Sequence, residues 1–115
     1  MLHWIPLERQ DQIDELIHLS KNTPCVIYKH SNNCGICSVI KLRLEDDWDF
    51  RKDEVLPYYL DVIKHRAIST IVAERFSVHH ESPQLLLIKN GECTYDDAQL
   101  DISVAELKAC FHDEF

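Results

Sequence analysis

The chain is expected to adopt an α/β fold, with a central mixed sheet and helices on both faces in the order βαβαβαββα. Three observations carry this expectation. Apolar residues alternate between short strand-like runs and segments spaced three and four apart, as on one helix face. The best two-residue hairpin signal, Asn90-Gly91, stands late in the chain, where a meander would close an alternating pattern. No repeat, low-complexity tract or Gly/Ser-rich linker interrupts the sequence, and Gly35 and Gly91 are its 2 glycines. Residues 1–115 therefore read as a single domain. Such alternation buries a largely parallel sheet between helix layers, and a terminal hairpin adds antiparallel pairing.

Each element has its own signal. Ile13, Leu16 and Ile17 in a polar surround give an amphipathic helix of about residues 8–20. Residues 25–28 follow as a short apolar strand bounded by Pro24. Ile36, Ile40 and Leu44 share one helical face with Val39 beside them, so a helix should open near Cys34 and end before Trp48. The run P-Y-Y-L-D-V-I at 57–63 is rich in strand formers. Ile68, Ile71, Val72 and Phe76 then return to helical spacing, without a convincing N-cap. Residues 85–88 are apolar on both faces, as in a strand covered on two sides, and 92–95 should pair back across Asn90-Gly91. Ser103-Val104-Ala105-Glu106 reads as a capping box, opening a last helix whose buried face holds Val104, Leu107 and Phe111. The leading strand of the order has no residues assigned to it. The whole is the thioredoxin-like arrangement.

Composition narrows the function. With 45% hydrophobic and 28% charged residues the chain has the makeup of an ordinary globular protein. A formal charge of −8 argues against a nucleic-acid partner, because phosphate-backbone binders carry basic patches. No apolar stretch approaches the roughly 18 residues of a membrane span. Glu8, Arg9, Asp11 and Asp14 stand where a signal peptide would be apolar, so a cytoplasmic location and no membrane partner are expected. In a reducing compartment, a C-x-x-C among 5 cysteines points to catalysis or metal binding before a structural disulfide.

That motif is Cys34-Gly35-Ile36-Cys37, at the junction of an expected strand and an expected helix. A thiolate is the nucleophile, and a free cysteine with a pKa of about 8.5 is mostly protonated at neutral pH. A helix start offers unpaired N–H groups and the positive end of the dipole, both favouring a thiolate at Cys34. Lys29 and His30, at the end of the preceding strand, are the nearest positive or potentially positive groups and are placed on the substrate side of the site. If Cys34 is the N-cap and Gly35 lets the backbone adjust, the two sulfurs can meet. Cys34 is then the exposed attacking thiol and Cys37 the shielded, resolving one. Redox chemistry is preferred to zinc binding. His79-His80, Cys93 and Cys110 do not make a second ligand pair at comparable spacing, and adjacent histidines on an extended segment point opposite ways. No metal site is assigned. Cys25, Cys93 and Cys110 read as small buried hydrophobes.

The stretches K-H-S-N-N-C-G-I-C-S, D-V-I-K-H-R-A-I-S, H-E-S-P-Q-L-L-L-I-K-N-G and the closing D-I-S resemble the YtxJ family, the monothiol bacilliredoxins, over nearly the whole chain. The resemblance implies a cytoplasmic thioredoxin-fold protein that removes bacillithiol, a low-molecular-weight thiol, from mixed disulfides on client proteins. Bacillithiol enters as a co-substrate, with no tightly bound cofactor. The resemblance also makes Pro83 a cis-proline facing the cysteines and Ser82 a substrate contact. The family motif usually reads Cys, Pro, Ile, Ser, so Cys34 maps onto the attacking cysteine. Gly35 replaces the proline, and Cys37 stands where serine is usual, giving this chain the means to close its own disulfide. Two other readings stay open. Cys-Gly-Ile-Cys is also similar to the Cys-Gly-Phe-Ser of monothiol glutaredoxins, which have an upstream lysine and carry iron–sulfur clusters; the other is a non-catalytic interaction module.

Overall fold

The computed structural model describes residues 2–111, the side chain of Phe111 excepted. The elements are β1 (Ile5–Pro6), α1 (Asp11–Leu19), β2 (Cys25–His30), α2 (Gly35–Asp47), β3 (Leu56–Asp61), α3 (Arg66–Arg75), β4 (Gln84–Lys89), β5 (Glu92–Ala98), a 3₁₀ turn (Gln99–Asp101) and α4 (Val104–Phe111). This is the expected order, with the leading strand now placed at Ile5–Pro6. The sheet runs β1-β3-β2-β4-β5. β1 and β2 pair parallel to β3, while β2–β4 and β4–β5 are antiparallel, so the sheet is mixed.

β2 and β4 are buried along their whole length, because helices cover both of their faces. On one face Cys25, Ile27, Leu86 and Ile88 pack against Ile13 and Leu16 of α1 and Ile68 and Val72 of α3. On the other, Val26, Tyr28, Leu85 and Leu87 pack against Ile40 and Leu44 of α2 and Val104 and Leu107 of α4. Ile40 and Leu44 are the apolar stripe that pins α2, and truncating either to alanine should cost about 2–5 kcal/mol. The expected place of Phe111 on the buried face of α4 lies outside the described side chains.

The local signals act through identifiable contacts. Asn90 and Gly91 both take positive φ, 51° and 78°, as a tight hairpin requires. Their N–H groups donate to the carbonyl and hydroxyl of Ser20, which docks the hairpin on the end of α1. At Gly91 a Cβ would also come within 3.2 Å of Ile17. Ser103 Oγ accepts the Glu106 N–H at 3.1 Å and so caps α4. His65 precedes α3 without a side-chain cap, in line with the missing signal there. Among the described residues no helix is long and apolar enough to cross a membrane.

Candidate active site

Cys34 occupies the N-cap of α2 with extended backbone, φ −120° and ψ 115°. This geometry follows from the sequence: β2 ends at His30, a short loop follows, and the apolar spacing of α2 begins immediately after Cys34. The N-cap side chain faces the unpaired N–H groups of the first turn. The Cys37 N–H donates to Cys34 Sγ at 3.2 Å, where a serine or aspartate oxygen would usually accept. Hydrogen bonding by the Cys37 thiol, and then by the Cys37 and Ile36 N–H groups, holds the Cys34 pKa below the ordinary cysteine value. Cys34 is partly exposed, so the thiolate can be approached.

Cys37 is its opposite. It is fully buried, and burial pushes its thiol up, with the hydrogen bond it gives to Cys34 adding to the rise. Its Sγ lies 3.4 Å from the Ser82 hydroxyl, which favours the thiolate in the other direction. The Ser82–Pro83 bond is cis, as the family resemblance implies. Gln99 fastens this loop from the next turn, its N–H donating to the Pro83 carbonyl and its side-chain amide to the Ser82 carbonyl. Both cysteines are free thiols. The pair therefore presents an accessible, ionisable sulfur in front of a shielded, protonated one.

Gly35 plays a different part from the one expected. Its φ is not in the left-handed region, and a Cβ built on it meets nothing within 4 Å. The sulfurs approach each other because of the N-cap geometry, with no need for a glycine's conformational freedom.

Lys29 and His30 also sit elsewhere than expected. Neither contributes to the lowered pKa of Cys34. Side chains alternate across β2, so Lys29 points away from α2. It is wholly buried, with Nζ 3.4 Å from His80 Nδ1, and burial lowers its pKa to about 8. His30 lies on the α2 face, also buried, with Nε2 3.1 Å from Asn32 Oδ1 and Nδ1 3.4 Å from the Tyr28 hydroxyl. Burial lowers its pKa, so it sits there as a neutral ring at neutral pH.

Tyr28 belongs to the site although the motif does not single it out. Its hydroxyl donates to the Cys37 carbonyl at 2.8 Å and so ties the first turn of α2 to the centre of the sheet. It stacks on Trp4 at 5.5 Å, and the Tyr59 ring packs within 5.4 Å of His30. The available signal was its place two residues before His30 on the same strand face. Cys25 and Cys93 remain packing residues, their thiols pushed up by burial to about 12 and about 11. Among the described residues no group of three or more His, Cys, Asp or Glu is gathered to hold a metal ion.

A family model described as monothiol bacilliredoxin BrxC matches residues 5–107. The chain belongs to the monothiol bacilliredoxin family. Solved structures agree on the fold. A thioredoxin-fold protein assigned as a candidate oxidoreductase is 29% identical over 94% of this chain and 93% of its own, with a TM-score of 0.80. Thioredoxin from Malassezia sympodialis is 21% identical with a TM-score of 0.73, covering 93% of this chain and 86% of its own. Thioredoxin from Trypanosoma brucei brucei is 13% identical with a TM-score of 0.71, covering 96% and 89%. At those two identities the likeness is one of fold. Bacilliredoxin membership and the thioredoxin fold together give the chain a thiol-redox role.

Proposed function

We propose that this bacilliredoxin reduces mixed disulfides between client proteins and a low-molecular-weight thiol, bacillithiol, and that it does so with two thiols. The observation that carries the reading is the Cys34 sulfur at the start of α2, hydrogen-bonded by the Cys37 N–H and backed by the buried Cys37 thiol. The Cys34 thiolate attacks the bacillithiol sulfur of the mixed disulfide. A Cys34–bacillithiol disulfide forms and the client leaves as a thiolate, which takes a proton from water. Cys37 then gives its proton to water and attacks the Cys34 sulfur, expelling bacillithiol as a thiolate that is reprotonated by water and leaving a Cys34–Cys37 disulfide. Two thiol groups from outside the chain, which end as a disulfide of their own, supply the two electrons that reopen it. The Ser82 hydroxyl stands against Cys37 Sγ, where it stabilises the thiolate of the second step.

The test is the intact mass of the reduced protein after brief incubation with a bacillithiolated test protein, with free thiols blocked. Loss of two hydrogens with release of free bacillithiol is the expected result. A stable gain of one bacillithiol at Cys34 would show a monothiol and leave Cys37 without a resolving role. The cytoplasm, as a reducing compartment, is the setting in which such a pair would cycle.

A further inference from the structure

A cleft of about 460 Å³ opens between α3 and the segment that leads into the Ser82–Pro83 loop, with Arg66, Ser69, Thr70, Glu74 and His80 on its walls. It lies at the same end of the sheet as Cys34, since the Val62 N–H, from its lining, donates to the carbonyl of His30 at the end of β2. His80 is two residues from Ser82, a span of at most about 7 Å of extended chain. Ser82 Oγ in turn touches Cys37 Sγ at 3.4 Å. The cleft is thus within a small molecule's length of the reacting sulfurs.

Its donors are preset. The Lys29 ammonium, wholly buried beneath the sheet, has no acceptor capacity, so His80 Nδ1 at 3.4 Å must accept from it. Ser69 Oγ sits 3.3 Å from the same nitrogen. With Nδ1 engaged inward, a neutral His80 carries its proton on Nε2, on the far side of the ring from Lys29. His80 is exposed, so that N–H is offered to the cleft. The neighbouring Lys29 charge, after burial, keeps the ring from protonating. Arg66 stands exposed on the wall with no ion-pair partner among the described residues, and Glu74 supplies an acceptor.

We propose that this cleft binds the non-thiol portion of the low-molecular-weight thiol, a hydroxyl- and carboxylate-bearing group, with Arg66 and the His80 Nε2–H on its carboxylate. Lys29 is a positioning residue that fixes the His80 tautomer. This rests on the oxidoreductase reading above, and it gives the small thiol a recognition site distinct from the client's.

The test uses S-methyl bacillithiol, which cannot exchange disulfides, titrated into the isotope-labelled full chain and followed by amide chemical shifts. Saturable shifts at Ser69, Thr70 and His80, with affinity falling about tenfold in Arg66→Ala, are expected. His80→Ala should weaken binding similarly and His80→Gln, which keeps an N–H donor, should restore part of it. Shifts confined to Asn32, Ser38 and Lys41, or none at millimolar probe, would overturn the assignment. In turnover, Arg66→Ala should raise KM for a bacillithiolated test protein, and an unchanged KM would count against the assignment. Turnover without cleft shifts would remove this site and leave the oxidoreductase reading standing; cleft binding without turnover would do the reverse.

Discussion

Cys25 and Cys34 flank the same strand, and the fold treats their sulfurs in opposite ways. Cys25 opens β2 in the interior, fully buried, with its thiol 3.4 Å from the Thr23 carbonyl and 3.8 Å from that of Leu16. Burial pushes its pKa up to about 12, and the protonated thiol donates to those carbonyls. Cys34, just past the other end, is hydrogen-bonded by the Cys37 thiol and by N–H donors at a helix start and is held below the ordinary value. Both are cysteines in one short segment; burial at one end, and hydrogen-bond donors at a partly exposed helix start at the other, decide which one can attack a disulfide.

The sharpest way to break this contrast is to remove each thiol in turn. Cys34→Ala should drop disulfide-reducing turnover to the uncatalysed background, whereas Cys25→Ala should leave turnover in place and cost about 1 kcal/mol of stability. Preserved turnover in Cys34→Ala would contradict the assignment. Next in size is Cys37→Ala, which removes the thiol that hydrogen-bonds Cys34. The pH midpoint of Cys34 alkylation should move up, and the Cys34–bacillithiol adduct should accumulate because nothing within the site expels it; mass spectrometry reads both.

A smaller effect belongs to Lys29, whose folded pKa of about 8 lies below its ordinary 10.5. Between those values the unfolded chain binds more protons than the folded one, so this group makes stability rise with pH across that window. Lys29→Met should stabilise the protein at pH 7 by about 1–3 kcal/mol, and the difference from wild type should shrink toward pH 10. Denaturant melts at both pH values check this. The smallest effect is at Gly35, the first residue of α2. Proline suits that position, and the extended Cys34 backbone tolerates a following proline. Gly35→Pro should therefore raise stability by about 0.4–1 kcal/mol, read by thermal melting, without slowing the first attack.

How much of this could be read from the sequence depends on the range of the interaction. The Cys34 N-cap, the capping of α4 by Ser103 and the Asn90-Gly91 turn are set by residues within one turn of each other, and all three were legible. β1 was not: its two residues carry no period of their own and are defined by pairing with Tyr58 and Tyr59. Lys29 looked like a strand-end cation beside the motif. It is buried because β2 runs on to His30 between helices on both faces, which a polar residue in the sequence does not reveal. The link from Lys29 to His80 spans 51 residues, and no local spacing announces it. Tyr28 was legible as strand, but its bond to the Cys37 carbonyl depends on how α2 lies over the sheet.

The most direct measurement is the residue-resolved rate of alkylation by iodoacetamide as a function of pH, on the folded reduced protein. The account predicts that Cys34 reacts first, with a midpoint below the free-cysteine value of about 8.5, while Cys25 and Cys93 react only on unfolding. A Cys34 midpoint at or above that value, or labelling of Cys34 no faster than Cys93, would contradict it.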